Sequence, residues 1–361
     1  MSAPLVLGLV GPVPPPNGGM AMQTRQLAEL LRAEGLQVEL LPTNAPYKPA
    51  WVERLPVVRA LFRLLPYLLG AWRLAGRVDV VHVMANSGWS WQLFAAPPIW
   101  AAWLRGTPVV VNYRGGEAAD YFKQSFSRVR PTLRRASSIV VPSGFLQGVF
   151  QEYRVDARVI PNIVNLQRFH PASTPLEQSG FSLVIARNLE PIYGIETAIR
   201  AVAILRQQVP AVRLEIAGSG PLRESLQALV AELGLSDCVS FLGRLDPDEM
   251  AVAYRRAHVM VNPTLVDNMP NSVLEALACG VAVVSTDVGG VPFVVSHEQT
   301  ALLVPAEDPQ AMADALLRLS RDGELRTGLI ERGLQEAGRY DWPQVREHWL
   351  QHYRSLLGGV A

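Results

Sequence analysis

Residues 264–290 read TLVDNMPNSVLEALACGVAVVSTDVGG. Asp267 precedes a Pro270-Asn271 helix start and Glu275 follows one turn later. Behind them come Gly280, the apolar run Val281 to Ser285, and the turn Gly289-Gly290. Proline suits the first turn of a helix, where its missing N–H is no loss, and glycine suits the position just past the last turn. A short helix followed at once by a buried strand and a glycine turn is one repeat of an α/β sheet. The backbone N–H groups of Asn271 and Ser272 then sit at a helix N-terminus, whose partial positive charge favours a diphosphate. Glu275 is placed to accept from two vicinal hydroxyls such as those of a ribose. Asp267, in the preceding loop, is placed to accept from hydroxyls of a sugar beyond the phosphates. Both act as hydrogen-bond acceptors in this reading and need not be an acid and base pair.

The same strand-and-helix alternation runs along the whole chain. In the first half the apolar runs are Pro4 to Val10, Gln37 to Leu41, Val78 to Val83, Pro108 to Asn112, Ser138 to Val141 and Arg158 to Ile160. In the second half they are Ser182 to Ala186, Arg213 to Ala217, Val239 to Leu242, His258 to Val261, Val281 to Ser285 and Ala301 to Val304. Continuous short apolar runs are the mark of parallel strands covered on both faces. They predict two doubly wound α/β domains. The 361 residues fit two such domains, each of about 150 to 200 residues. The divide falls in the turn-rich segment from Pro171 to Gly180, PASTPLEQSG.

Composition narrows the class. Apolar residues make up 49% of the chain, yet no window of about 20 residues lacks charge or proline, so no membrane-spanning helix is expected. No charged region followed by an apolar core opens the chain, so the expected location is cytoplasmic. Cys238 and Cys279 form neither a disulfide framework nor a metal site and read as small buried hydrophobes. His82 and His258 fall in strand-like runs and read as core histidines. No closely spaced His, Cys or carboxylate cluster calls for a metal.

Net charge is +1 overall, but residues 1–165 carry 17 basic and 9 acidic side chains, and residues 166–361 carry 16 and 23. A basic first half suits an anionic acceptor or the face of an acidic membrane, and an incidental surface imbalance is the alternative. The only lysines are Lys48 and Lys123, so a phosphate in the second half must be met by arginine or backbone.

Each half also opens on a glycine turn after its strand. In the first half Gly18-Gly19 precedes a helical run and reads either as a close backbone approach to a ligand or as a plain tight turn. Its spacing is not G-x-G-x-x-G, which argues against a nicotinamide cofactor. In the second half Arg213 to Ala217 runs into Gly218-Ser219-Gly220-Pro221.

Several motifs in order then carry a resemblance. ARNLEPIYGIETAIRA from 186, IAGSGPLRESL from 216, VSFLGRL from 239, VDNMPNSVLEALACGVAVVSTDVGGVP from 266 and ALLVPAEDP from 301 resemble a retaining glycosyltransferase of family 4. The likeness extends through the Gly18-Gly19 loop, NYRGGEAADYF from 112 and VIPNIVNLQRF from 159. It implies the GT-B fold, two Rossmann-like domains facing each other across a cleft. Residues 1–170 would be the acceptor domain and 171–340 the nucleotide-sugar domain, with a final helix in 341–361 packing back on the first.

The resemblance assigns donor binding to Gly18, Gly19, Arg187, Arg244, Asp267, Asn271, Ser272 and Glu275. Arg187 would offset charge on the leaving diphosphate, and Asp267 would hold the donor sugar. The implied reaction moves a sugar from a UDP or GDP sugar to a hydroxyl of a glycan or lipid-linked acceptor, with retention and with neither metal nor cofactor. Cell-surface polysaccharide or glycolipid synthesis is the expected setting, with no role for nucleic acid.

Four positions depart from the family pattern. Asp267 replaces a glutamate, the region of Tyr193 replaces a lysine, Arg114 stands where many members have histidine, and Phe293 stands where a glutamate often follows the Gly-Gly turn. They mark either a subfamily or a catalytically silent homologue that binds nucleotide or glycan as a partner protein. Arg114 itself reads either as a phosphate or acceptor contact or as the ion-pair partner of Glu117 or Asp120. The stretch from Trp51 to Arg77 carries Arg54, Arg59, Arg63, Arg73 and Arg77 against Glu53 alone. It reads equally as a helix lying in the interface of an anionic membrane, on the inner face of the plasma membrane, or as an ordinary buried Rossmann helix.

Overall fold

A computed structural model of the chain describes residues 5–15, 18–46, 58–172 and 180–358, with the backbone alone for 58–61. The readings placed on Pro4, Lys48, Trp51, Glu53, Arg54, the Arg59 side chain and most of the 171–180 divide lie outside the described residues. The chain divides into two compact units, Met1–Ile163 with Val345–Ala361, and Val164–Gln344.

The first unit is a six-stranded parallel sheet in the order β2-β1-β3-β4-β5-β6. Its elements are β1 (Val6–Gly11), α1 (Gly19–Ala33), β2 (Gln37–Pro42), α2 (Val58–Ala75), β3 (Val80–Ala85), α3 (Ala96–Leu104), β4 (Val109–Tyr113), α4 (Ala118–Leu133), β5 (Ser138–Val141), α5 (Gly144–Glu152) and β6 (Arg158–Val159). The second unit is a second six-stranded parallel sheet in the order β12-β11-β10-β7-β8-β9. It contains β7 (Phe181–Ala186), α6 (Ile195–Arg206), β8 (Val212–Ala217), α7 (Arg223–Glu232), β9 (Val239–Gly243), α8 (Pro247–Arg255), β10 (Val259–Asn262), α9 (Asn271–Ala278), β11 (Ala282–Thr286), β12 (Leu302–Val304), α10 (Pro309–Arg321) and α11 (Gly323–Gly338). All twelve expected runs are strands, to within two residues at either end. This is the two-domain Rossmann-like GT-B fold.

Burial explains why the runs are continuous. In the second sheet Leu183, Ile185, Leu214, Ile216, Val261 and Val284 face α6, α7 and α10, while Val184, Met260 and Val283 face α8 and α9 on the other side. In β10 and β11 successive side chains alternate between two cores, so both parities are buried. Helix starts and stops follow local chemistry. Asp246 and Glu249 form a reciprocal capping box on α8. At the end of α9 the Gly280 N–H donates to Leu277 O and the Val281 N–H to Ala276 O, a Schellman closure. Pro270, expected in the first turn of α9, is instead its N-cap residue, and its carbonyl accepts from Val273 and Leu274.

The last helix, α12 (Trp342–Leu357), completes the core of the first unit. Trp349 and Tyr353 are fully buried there. The Tyr353 hydroxyl lies 2.8 Å from Nδ1 of His82 on β3, and the Trp349 ring is 4.9 Å from the His82 ring. Burial, with smaller contributions from Arg114 and His352, holds His82 well below the usual histidine range. His82 is thus a neutral core histidine.

Candidate functional site

In the second sheet β7 lies between β10 and β8. The chain proceeds from β7 outward through β8 and β9, and then from β10 outward the other way through β11 and β12. The loops after β7 and β10 therefore diverge, and such a switch point at the carboxyl ends of parallel strands is where open α/β sheets bind ligands.

Arg187 follows the last residue of β7, and Asp267 lies in the loop after β10. Arg187 Nη2 donates to Asp267 Oδ2 at 2.6 Å, with the two side chains only 11% and 13% exposed. Arg187 Nε donates to Asn262 Oδ1 at 2.9 Å, and Asn262 Nδ2 in turn donates to Ser285 Oγ at 2.9 Å. The Tyr193 ring lies 5.2 Å from the guanidinium carbon, a cation–π contact where a second cation was expected to be missing. Asp267 Oδ1 accepts from its neighbour's backbone, Asn268 N–H, at 2.8 Å. Two acceptor positions of Asp267 are thus occupied from within the protein, and the remaining lone pairs are what it can offer a ligand.

Two glycine turns press these loops into place. A side-chain carbon at Gly218 would sit 1.8 Å from Arg187 O, and one at Gly290 would sit 1.7 Å from Asn268 O. Only hydrogen fits at either position. The Gly290 N–H also donates to Asp267 O at 2.9 Å, so the Gly-Gly turn after β11 fixes the Asp267 loop from behind.

At the start of α9, Ser272 is 7% exposed and its Oγ has no hydrogen-bond partner among the described residues. A buried hydroxyl without a partner at a helix N-terminus matches a ligand oxygen. Glu275 follows one turn later, and its Oε2 accepts from Tyr254 OH at 3.1 Å. Burial pushes the Glu275 carboxyl up to about 7 from the usual 4.5, against the opposing pull of Tyr254, Arg187 and Arg168. Arg244, beyond β9, is exposed and donates to Ser219 Oγ at 3.1 Å, on the glycine turn after β8.

The structure therefore brings Arg187 and Asp267 into contact, puts Asn271, Ser272 and Glu275 on one helix start, and sets Arg244 on the neighbouring turn. Gly18, Gly19 and Arg114 belong to the first unit. Gly18 is the extended residue before α1, with open space around it. Arg114 follows β4, and its Nη1 and Nε donate to Asn162 at 2.6 Å and Asn112 at 3.2 Å. The two carboxamides face the guanidinium from β4 and from the segment after β6, a pairing no local spacing reveals. Phe293, in a short turn after Gly290, is 57% exposed.

Residues 17–168 match the family described as Glycosyltransferase Family 4, and residues 180–322 match Glycosyl transferases group 1. The chain belongs to the family 4 glycosyltransferases. Among its curated relatives, the D-inositol 3-phosphate glycosyltransferase of Corynebacterium jeikeium is 34% identical over 217 residues, 55% of this chain and 52% of that protein. The chain spans about half the length of the first such relatives. The phosphatidyl-myo-inositol mannosyltransferase of Mycobacterium leprae is 27% identical over 94% of this chain and 93% of its own.

Among solved structures, sucrose-phosphate synthase from Thermosynechococcus elongatus superposes with a TM-score of 0.78 at 23% identity, covering 98% of this chain and all of that one. Anabaena HepE, solved with UDP and glucose, gives 0.77 at 18% identity, covering 98% and 100%. At such identities these two establish the fold of the chain alone. Among its described residues no three His, Cys, Asp or Glu side chains gather as a metal-holding group, and no helix is long and apolar enough to cross a membrane.

Proposed function

We propose that the protein is a retaining glycosyltransferase that moves a sugar from a UDP or GDP sugar to a hydroxyl of a glycan or lipid-linked acceptor, in cell-surface polysaccharide or glycolipid synthesis. The observation that carries the reading is the oriented Arg187 guanidinium at the β7/β10 switch point. The start of α9, with the unpartnered Ser272 hydroxyl and Glu275 one turn on, follows the same β10 loop. In this reading the α9 N-terminus and Ser272 take the diphosphate, Glu275 takes the ribose diol, Asp267 takes the donor sugar, and Arg244 lies beside the base. A lipid-linked acceptor puts the work at the cytoplasmic face of the plasma membrane. The name of the phosphatidyl-myo-inositol mannosyltransferase relative supports a lipid-linked acceptor.

The chemistry asks little of protein nucleophiles. The bond from the anomeric carbon to the diphosphate oxygen breaks and its electron pair stays on that oxygen. The acceptor hydroxyl oxygen attacks from the same face, and its proton passes to the departing phosphate. Arg187, fixed in advance by Asp267, Asn262 and Tyr193, offsets charge that grows on the leaving group. Asp267 then serves both the sugar and the orientation of the arginine.

Release of nucleoside diphosphate from a panel of UDP and GDP sugars, with membrane or glycan extract as acceptor, tests the proposal. Turnover above an Asp267→Ala/Glu275→Ala control is expected, and the anomeric configuration of the product, read by proton NMR, should match the donor's. No turnover with any donor, together with retained nucleotide binding, would favour a silent homologue. The Tyr193 replacement and the commitment of Asp267 to Arg187 are the observations on that side.

A further inference from the structure

The first sheet has a switch point of its own. β1 lies between β2 and β3, and the chain passes from β1 outward to β2, then returns to β3 and runs the other way through β4, β5 and β6. The loops after β1 and β3 are drawn apart. Asn44, beyond β2, accepts from the Val13 N–H at 2.9 Å and donates to Val13 O at 2.7 Å, which pulls the first loop toward β2. The loop after β3 leans on β4 instead. Ser87 Oγ lies 2.8 Å from Tyr113 OH, and a side-chain carbon at Gly115 would sit 2.4 Å from Ser87 Oγ. Open α/β sheets take ligands in the crevice between such diverging loops.

Trp89 opens the helical turn that follows the β3 loop. It is 78% exposed, the highest value among the large exposed apolar side chains of the described residues, with Leu104 next at 61%. The backbone beneath it is held in place. Tyr121 OH donates to Gly88 O at 3.4 Å and accepts from Gln92 Nε2 at 3.3 Å. Trp91, two residues on and therefore on the opposite side of the turn, is fully buried. A π turn, Trp91–Ala95, then leads into α3, and such turns recur at functional sites.

An indole held in water at a switch point suits a ligand, and its neighbours select which. Residues 80–104 contain no Asp, Glu, Lys or Arg. The side chains around Trp89 that are exposed or half-buried, Asn86, Ser87, Ser90 and Gln92, are amides and hydroxyls. An anion finds no cation in this segment, and a wholly apolar partner would desolvate the amides without bonding them. A flat indole face with short hydrogen-bonding side chains at its rim matches an uncharged ring whose C–H bonds point to one face and whose hydroxyls lie around the edge. A pyranose is such a ring. We propose that Trp89 is the stacking platform for a pyranose ring of the acceptor, with Asn86, Ser90 and Gln92 bonding its hydroxyls, and that it restricts the acceptor to pyranosides. Calling this sugar the acceptor rests on the transferase reading, whereas the binding of the sugar does not.

Fluorine NMR of the full chain labelled with fluorotryptophan reports each indole separately, and Trp89→Phe identifies the signal of Trp89. Methyl pyranosides of glucose, galactose, mannose and N-acetylglucosamine, added with and without UDP or GDP, should shift that signal. The open-chain polyol ribitol and inorganic phosphate should leave it in place. Trp89→Ala should weaken pyranoside binding by about tenfold or more. Because the side chain is exposed, that variant should keep the wild-type melting temperature and its shift with UDP or GDP. With a working donor and acceptor, Trp89→Ala should raise the acceptor KM by a similar factor and leave the donor KM unchanged, and Trp89→Phe should recover part of the loss. A Trp89 signal that no pyranoside moves overturns the proposal, as does one that ribitol moves equally or one that responds only to protein concentration or to phospholipid vesicles. Turnover by Trp89→Ala with the wild-type acceptor KM overturns it too and leaves the transferase reading intact. A pyranoside shift without turnover of any donor would sink the transferase reading and leave Trp89 as a sugar-binding residue.

Discussion

Arg187 bonds to Asp267 across the gap between two neighbouring strands, β7 and β10, whose chains run on in opposite directions. The arginine is therefore oriented before any ligand arrives, by one carboxylate, one carboxamide and one ring. Preorganisation of this sort is what allows a cation to stabilise a leaving group without reorganising at the moment of reaction.

Replacing Arg187 separates its two duties. Arg187→Lys cannot bond Asn262 and Asp267 at once, and kcat should fall by about 100-fold with a smaller change in KM. Arg187→Ala leaves the largely buried Asp267 carboxylate without its cation, and urea unfolding should report a loss of about 1–3 kcal/mol. An Arg187→Lys enzyme with the wild-type kcat would remove the arginine from the chemistry.

Glu275 predicts a pH dependence with a definite sign. A ribose diol donates to the ionised carboxylate, so binding favours loss of the proton. With the carboxyl at about 7 in the folded protein, nucleotide affinity should rise by up to about tenfold from pH 6 to pH 8. Calorimetry in buffers of different ionisation enthalpy should register proton release on binding near neutrality. The unliganded protein should behave in the opposite sense. Because the folded value lies above the unfolded one, this group's contribution to stability is full below about 4.5 and is lost as the pH rises through about 7. Glu275→Gln should flatten both profiles.

Asp267→Glu lengthens the side chain by one methylene inside a loop held by Gly290. Its carboxylate must move relative to Arg187 or relative to a bound sugar. A changed ranking of donor sugars in kcat/KM is expected, and an unchanged rate with every donor would exclude Asp267 from sugar binding.

Gly290→Ala tests the wall behind the site. The added carbon would overlap Asn268 O at 1.7 Å, so the Asp267 loop has to shift. A stability loss of at least about 2 kcal/mol is expected in thermal or urea unfolding. A smaller thermal shift with UDP or GDP should accompany it, and a variant that melts and binds like the wild type would show that the loop position is unimportant.

Much of this was legible in the chain. Parallel strands buried on both faces leave continuous apolar runs, and β3, β4, β10 and β11 were visible for that reason. Asp267, Ser272 and Glu275 were legible because a helix start carries its own punctuation. The partners were not. Arg187 and Asp267 are 80 residues apart, and only the strand order brings them together. Asn262 left one faint signal, a polar residue closing the apolar run of β10. Arg114 was read either as a phosphate or acceptor contact or against Glu117 or Asp120, and its bonds to carboxamides on β4 and in the segment after β6 were not visible in the sequence. For α2 the composition allowed a buried helix or an interfacial one, and the helix has one apolar stripe buried and another exposed.

The return of α12 to the first unit has a consequence for biosynthesis. Trp349 and Tyr353 emerge from the ribosome only after all of β7 to α11. The half of the protein that is translated first must therefore wait, with the His82 side of its interior unfilled, while the half translated second can already close around its own two cores. A nascent chain stalled before residue 345 should hold a finished second unit and an open first one. Chaperone contacts during synthesis should accordingly concentrate on the earlier-made half.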